Sequence, residues 1–349
     1  IAGEVCRWLV DLDALIDGAT RQPLPDDAKA RMVLRMALAQ ALRLETPAHA
    51  VVATALPLLA GGPRRLVHGV LGTLLRGGAH LPDVPTLPAE VAERWQSAHG
   101  PQMTAAAAAA LVTPPPIDLA LKSADETAVW TERLSGTSLR AGHVRLARAG
   151  DVTALPGFRD GDWWVQDLAA GLPAGLLGPG AGRTVLDIGA APGGKTMQLA
   201  SAGWRVTALD ASARRLQRLA QNLERTGLEA EIMRADARAL PAGRQWDAVL
   251  LDAPCSATGI FRRHPEVLHR VSTADIADRA RLQAELLDAA AGAVAPGGTL
   301  VYAVCSLEPE EGPDQIAAFL ARQSGWRIVP VTGAELPAGL APNADGSLS

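Results

Sequence analysis

From Arg183 onward, short apolar runs alternate with amphipathic stretches, and this alternation restricts the fold more than any other feature of the chain. TVLDI (184–188), RVTALD (205–210), AEIM (230–233), WDAVLLD (246–252) and TLVYAV (299–304) read as strands. Between the second and third, Leu216, Leu219, Ala220 and Leu223 recur at the spacing of one helical face. Repeated strand–helix–strand units form a parallel sheet covered on both faces, an α/β architecture. Such sheets bind ligands at the carboxyl ends of their strands, so the residues that end the strands are the candidates for chemistry.

The chain before Arg183 reads differently. Leu34, Leu38, Ala41 and Leu42 fall on one helical face. Pro47 can open a helix through HAVVATALPLLA, and GGP at 61–63 separates it from RRLVHGVLGTLLRG. Gly77 to Pro88, with two Gly and three Pro, is a linker by composition. Helical stretches lie around 89–99 and over the alanine run 105–110, and Pro114–Pro116 ends them. Residues 117–180 mix short apolar runs with Gly and Pro, the pattern of a small α+β unit. A length of 349 residues predicts two or three domains.

GAAPGGKT (189–196) comes after a strand and opens a helix, and it fits the phosphate-binding loop G-x-x-x-x-G-K-T. AVLLD (248–252) would then pass as the magnesium-binding strand of a nucleotide hydrolase. Three features weigh against that reading. Pro192 removes one backbone N–H from the cradle a phosphate needs. Asp187 puts a carboxylate beside the loop, where polyphosphate would be repelled. Asp210 ends the next strand, where an acid accepts hydrogen bonds from ribose hydroxyls. An adenosyl ligand with a sulfonium and no phosphates suits a glycine turn flanked by acids, and Asp236 after the third strand is positioned for an adenine or ribose edge. Alone, each Asp is more readily a helix cap or turn former. Four at successive strand ends (Asp187, Asp210, Asp236, Asp252) suggest a binding rim.

DAPCS (252–256) and VCS (304–306) put Cys255, Cys305 and Asp252 at strand ends of the same sheet. Methylation of a cytosine at carbon 5 needs this set: a thiolate to add at carbon 6, an acid at the ring nitrogen, and a group that helps remove the carbon-5 proton. A helix beginning at EPEEG, with Pro309 in its first turn, and the run Arg262, Arg263, His264 are candidate sources of positive potential for a thiolate. The same run reads equally as an RNA phosphate contact or a solvated turn. Cys6 reads as a buried small hydrophobe. Three dispersed cysteines form no disulfide framework or zinc cluster, and no metal site is expected. The expected setting is reducing and cytoplasmic. No run of about 20 apolar residues predicts a membrane span. Net charge of −4 argues against a strongly basic nucleic-acid binder but not against an RNA enzyme with one positive face. Aromatic residues make up 3% of the chain, too few for broad base-stacking platforms.

DIGAAPGGKT, DAPCSATG with RRHPE after it, and YAVCSLEPEEG together resemble the Nol/Nop/Sun family of RNA 5-methylcytosine methyltransferases, in spacing as well as in residues. LPGFRDGDWWVQDLAA (155–170) is similar to the segment before that family's catalytic domain. PAHAVV (47–52) and RRLVHGVLGTLLR (64–76) are similar to the NusB-type RNA-binding domain of one bacterial branch, which acts on 16S ribosomal RNA. The resemblance implies four segments: an all-α NusB-like domain over 1–80, a helical linker over 81–112, a small α+β RNA-binding subdomain over 113–180, and a class I (Rossmann-like) S-adenosylmethionine methyltransferase domain over 181–349. It implies that Gly189, Ala190, Ala191, Pro192, Gly193, Gly194 and Lys195, with Asp210, Asp236 and Asp252, bind the S-adenosylmethionine. Cys305 would be the nucleophile, Cys255 would assist elimination, and Asp252 would also contact the cytosine. DNA cytosine methyltransferases use instead the cysteine that corresponds to Cys255. The implied partner is 16S ribosomal RNA, with no DNA or membrane partner and a monomeric state; a catalytically silent RNA-binding assembly factor is the other RNA-linked reading. Val304 stands where the family usually has Thr, and Ala257 where it usually has Gly. The chain ends at DGSLS, short of an expected Phe-rich final strand, and its front is expected to be clipped.

Overall fold

The N-terminal hundred residues are largely helical: α1 (Ala2–Arg7), α2 (Leu9–Gly18), α3 (Lys29–Arg43), α4 (Ala48–Ala55), α5 (Gly61–Arg76) and α6 (Ala89–Ala110). The computed structural model describes residues 1–148, 150–240, 243–332, 336–337 and 340–343, and residues 345–349, on which the expectation of a missing last strand rests, lie outside them. Two compact units result, one of Ile1–Pro115 with Thr258–Val271, the other of Pro116–Ala257 with Ser272–Ser349.

In the first unit Trp8, Leu12, Ile16, Leu34, Leu38 and Leu71 are almost fully buried in one cluster. Each such aliphatic side chain contributes about 1.5–3 kcal/mol on leaving water. The break expected at 61–63 is the start of α5, with Gly61 at φ +58. Residues 81–112 are not a separate linker. Gly100 (φ +83) interrupts α6, Trp95 on that helix is fully buried, and its ring packs on Phe261 at 5.4 Å between centroids. Apolar burial on α6 therefore makes it part of the first unit.

The second unit holds two sheets. β1 (Ile117–Leu121), α7 (Thr127–Arg133), β2 (His143–Leu146), β3 (Trp163–Val165) and α8 (Leu168–Gly175) form an antiparallel three-stranded piece in the order β2-β1-β3. The boundary expected at 180 does not set this piece apart from residues 181–257. Gly161 (φ +77) sits so close to the chain at Arg225 that a Cβ would lie 2.2 Å from the Arg225 carbonyl oxygen. The Arg225 guanidinium donates to the carbonyls of Phe158 and Trp163, and Lys122 Nζ donates to the Thr226 carbonyl at 2.6 Å.

The main sheet comprises β4 (Thr184–Ile188), β5 (Arg205–Asp210), β6 (Glu231–Arg234), β7 (Trp246–Asp252) and β8 (Val294–Ala303), interleaved with α9 (Gly194–Ser201) and α10 (Ala213–Thr226). After Ala257 the chain enters the first unit, where α11 (Val267–Arg270) lies, and returns at the capping box of Ser272 and Asp275 that opens α12 (Thr273–Gly292); α13 (Pro313–Arg322) comes after β8. All neighbouring strands are parallel, in the order β6-β5-β4-β7-β8. Central strands covered on both faces must be apolar along their length, as Val185, Leu186, Val249, Leu250 and Leu251 are. Ser212 caps α10 and Gly227, at φ +60, ends it. The chain starts the sheet at β4, runs outward through β5 and β6, then restarts on the other side with β7. The switch point, where loops diverge and leave a crevice, therefore lies between β4 and β7.

Candidate active site

The glycine turn and Asp252 meet at that switch point. Gly189 comes directly after β4 at φ +80, and a Cβ there would stand 2.3 Å from the Asp252 carbonyl oxygen, so only glycine fits. Gly193, at φ +111, precedes α9. Three backbone donors of the turn are committed inward. The N–H groups of Gly189 and Ala190 donate to the Leu209 carbonyl, that of Gly193 donates to the Ala190 carbonyl, and Pro192 has none. Lys195 Nζ is 2.8 Å from Asp252 Oδ2, and Thr196 Oγ1 donates to Asp187 Oδ2 at 2.6 Å. A polyphosphate needs those amides, that ammonium and that hydroxyl available. The phosphate-loop reading fails on geometry.

The four strand-end acids are not level with one another. The pairing Ile188↔Leu209 and Ile188↔Leu251 puts Asp210 and Asp252 beside Gly189, at the rim. Asp187 pairs one step earlier, with Ala208 and Leu250, and is fully buried. Burial pushes its carboxyl up to about 7; the Thr196 hydrogen bond opposes this and the nearby Asp252 adds to it. Its charge is therefore not the feature that repels phosphate, contrary to the expectation from sequence. The acidic rim consists of Asp210 and Asp252. Asp210 is 4% exposed, its Oδ1 accepts from the Ser212 N–H, and its Oδ2 makes no hydrogen bond although Arg215 Nη1 lies 3.1 Å away. A buried carboxylate oxygen left without a donor beside a glycine-only cradle fits the ribose hydroxyls of an adenosyl ligand. Asp236, two residues beyond β6, caps a 3-10 turn through the Arg238 N–H and pairs with the Arg238 guanidinium, which holds its carboxyl down at about 2. It thus has the cap role that single Asp residues favour.

The raised Asp187 carboxyl has a consequence for stability. An unfolded aspartate titrates at about 3.9, so the folded chain keeps a proton that the unfolded chain has already released. The stability this contributes is complete below about pH 4 and is lost as pH climbs through about 7. Asp187→Asn removes the titration. The stability of the variant relative to the parent should rise between pH 5 and pH 8 by on the order of 1–4 kcal/mol. Denaturant melts without ligand measure this, and curves that stay parallel across the range would refute it.

Cys255 and Cys305 leave the carboxyl ends of adjacent strands, where Asp252 pairs with Ala303 and the Ala253 N–H donates to the Ala303 carbonyl. Their sulfur atoms are 3.4 Å apart. The pair is polarised. A hydrogen bond from Cys255 and the positive charge of Lys195 draw the Cys305 thiol below its ordinary value, against burial and the charge of Asp252. Cys255 is pushed the other way by that hydrogen bond and by burial, and keeps its proton. Cys305 is exposed and Cys255 half-buried.

The positive charge acting on Cys305 is that of Lys195, which the sequence assigns to the donor loop alone. Arg262, Arg263 and His264 belong to the first unit. Arg262 Nε donates to the Ala110 carbonyl at 3.1 Å, and His264 Nδ1 is 3.1 Å from Glu266 Oε1. The helix expected at EPEEG begins later: Pro309–Glu311 is a 3-10 turn, and α13 opens at Pro313. Cys6 is partly buried, and its carbonyl lies 2.7 Å from His269 Nε2.

A buried polar brace behind the thiols escapes a reading of the sequence. Glu311 is 0% exposed. Its Oε1 accepts from the Ser256 N–H at 2.8 Å and from Gln283 Nε2 at 3.0 Å, and its Oε2 accepts from Ser306 Oγ at 2.5 Å and from Ser256 Oγ. The one available signal is a serine after each cysteine. Of the two departures from the family pattern, Ala257 has a structural meaning: it stands at φ +60, a left-handed backbone that glycine adopts freely. Ala257→Gly should stabilise the protein by about 1 kcal/mol, seen as a small rise in thermal midpoint. A fall would show that the alanine methyl is needed there. Val304 packs against the apolar cluster beneath the sheet.

With phosphate chemistry set aside, the fold and its acidic rim define the class of protein, an S-adenosylmethionine-dependent methyltransferase. Residues 174–343 match the family described as 16S rRNA methyltransferase RsmB/F, and residues 1–76 match the NusB family. The chain is 36% identical over 368 residues to Ribosomal RNA small subunit methyltransferase B of Pseudomonas syringae pv. tomato, an alignment covering 97% of this chain and 82% of that relative. A solved methyltransferase homologue from Pyrococcus horikoshii is 28% identical, with a TM-score of 0.58 over 72% of this chain and 81% of its own. The crystal structure of PH0851 shares the fold over 99% of this chain and 84% of its own, with a TM-score of 0.82 at 24% identity. The chain belongs to the RsmB/F family of methyltransferases, with a NusB-type domain at its N-terminal end.

Proposed function

We propose that the protein methylates carbon 5 of a cytosine in 16S ribosomal RNA through a covalent adduct on Cys305. The observation that carries this reading is the polarised thiol pair, 3.4 Å apart, beside the Lys195–Asp252 ion pair. The names of the family and of the Pseudomonas relative support the choice of RNA.

Carbon 5 of cytosine is too weak a nucleophile to accept a methyl group unaided. The Cys305 thiolate bonds to carbon 6, the electrons of the 5,6 double bond shift onto the ring, and carbon 5 becomes enamine-like. Asp252 contacts the cytosine, and the Lys195 ammonium paired with it faces the charge that gathers at the ring nitrogen. S-adenosylmethionine, when bound, supplies the electrophilic methyl. Gly189 to Lys195, Asp210 and Asp252 would hold it, with the glycine turn giving close backbone approach and the acids accepting from hydroxyls; Asp236, already engaged by Arg238, would be left to the adenine edge. After methylation the carbon-5 proton leaves to a base, the bond between Sγ and carbon 6 breaks, and the double bond returns; Cys255 assists this elimination. The target base must leave its stack to reach the thiols. Arg263 and His264, with Arg262 behind them, are the proposed phosphate contacts.

The experiment is methylation of bare 16S RNA with labelled donor, and then bisulfite mapping. Label at a single protected cytosine is expected. Label with every cytosine still convertible would refute carbon-5 chemistry, and tight magnesium–ATP binding with none for S-adenosylmethionine would point to a nucleotide hydrolase. The rate should also rise with pH and level off below the titration of an ordinary thiol, because Cys305 ionises early.

A further inference from the structure

We propose that Glu311 is a positioning residue that sets the distance between the two thiols. This rests on the reading of Cys255 and Cys305 as the reacting pair. The two cysteines sit in separate loops that leave different strands, and strand pairing alone stops at Asp252↔Ala303. Beyond that pair and the Ala253 N–H bond to the Ala303 carbonyl, the sheet no longer ties the loops together. Each cysteine has a serine after it, and the two hydroxyl oxygens, 3.1 Å apart, both donate to one oxygen of Glu311. Its other oxygen takes the Ser256 N–H at 2.8 Å, so the carboxylate grips backbone as well as side chain.

Further bonds anchor Glu311 and its partners. Gln283 Nε2, on α12, donates to Glu311 Oε1 and also to the Pro254 carbonyl, each at 3.0 Å, which fixes the residue before Cys255. The Tyr302 hydroxyl, near the end of β8, donates to the Glu311 carbonyl at 2.7 Å. The Glu308 N–H donates to Ser306 Oγ at 3.1 Å. Four donors converge on two carboxylate oxygens at a fully buried point. An ionised carboxylate, which only accepts, is the side chain suited to that set. Glutamine would oppose an N–H₂ to two hydroxyl protons and force both serines to turn. Alanine would leave the donors of both loops unpaired and the loops untied. The role is orientation, since Glu311 touches neither sulfur.

The test uses the full chain in a Cys6→Ala background, so that only the two thiols react, and compares Glu311→Gln, Glu311→Ala and the Ser256→Ala/Ser306→Ala pair. One readout is the rate at which diamide closes the Cys255–Cys305 disulfide; the reagent takes up the two electrons and two protons released by the thiols. A second is the pH profile of Cys305 alkylation. A third is kcat against KM, with donor Kd measured separately. A displacement of about 1 Å costs a catalytic group on the order of 10²-fold. Glu311→Ala should therefore lose about 10²-fold in kcat with donor Kd within about twofold, close the disulfide at least about tenfold more slowly, and alkylate with a profile moved to higher pH. Glu311→Gln should fall between it and the parent, and the double serine variant should behave like the alanine. If Glu311→Ala does not fold, Glu311→Gln and the serine pair decide. Disulfide closure and alkylation profile equal to the parent in the folded variants overturn the proposal. Both thiol readouts are independent of RNA, so their failure is distinct from a failure to methylate cytosine.

Discussion

Cys305→Ala should abolish methyl transfer to RNA while leaving the fold and donor binding unchanged. On the proposed mechanism the Cys305 thiolate activates carbon 5, and burial alone disfavours ionisation of the remaining thiol, Cys255. Losing a covalent nucleophile removes an entire pathway, so the expected fall is at least about 10³-fold in kcat/KM. The same variant should form no denaturant-stable complex with RNA carrying 5-fluorocytosine, in which the adduct cannot eliminate. Cys305 is not among the residues proposed to hold the donor, so donor affinity should stay within about twofold by calorimetry. Retained adduct formation in Cys305→Ala would move the nucleophile to the other cysteine and with it the comparison to DNA enzymes.

The second large effect runs in the opposite direction. Cys255→Ser should permit addition and methylation but slow release, so that enzyme and RNA without 5-fluorocytosine accumulate as a covalent complex visible on a denaturing gel. Turnover should fall by about 10²-fold or more while a first-turnover burst survives. Serine keeps a hydroxyl donor near Cys305 but titrates too high to share a proton at neutral pH. The polarity of the pair, with one thiol lowered and one raised, is the physical basis for predicting different phenotypes from two similar residues. If Cys255→Ser instead abolishes the adduct, the two roles are exchanged.

Much of this site can be read along the chain because parallel strands covered on both faces are uninterrupted apolar runs. β4, β5 and β7 begin and end where TVLDI, RVTALD and WDAVLLD do, and the two cysteines then fall on adjacent strand ends. Whatever depends on register is not legible. Asp187 and Asp210 both end apolar runs, yet one pairing step separates a fully buried carboxyl from one at the rim. The start of β8 is hidden because Pro296, Gly297 and Gly298 look like a turn, although the strand runs from Val294. Ala220 shares a helical face with Leu216 and Leu219 in a wheel but is exposed on α10. Along the chain Glu311 is one acid in a charged turn. Its partners, Ser256 and Gln283, are 55 and 28 residues away, and no local pattern reports a hydrogen bond across that separation. Similarly, nothing in RRHPE tells that its neighbour Phe261 fills the space against Trp95.

That aromatic contact bears on how the protein can be divided. The stretch Thr258–Val271 is inserted between Cys255 and α12 in sequence, but it belongs to the N-terminal unit, where Phe261 packs on Trp95. A fragment cut at Pro115 would leave the indole of Trp95 without its aromatic cover and Arg7 without the Arg262 carbonyl it bonds to. The N-terminal half is therefore not a detachable module. The chain passes between the two units three times, at Pro115–Pro116, Ala257–Thr258 and Val271–Ser272, so no single cut releases the N-terminal unit intact.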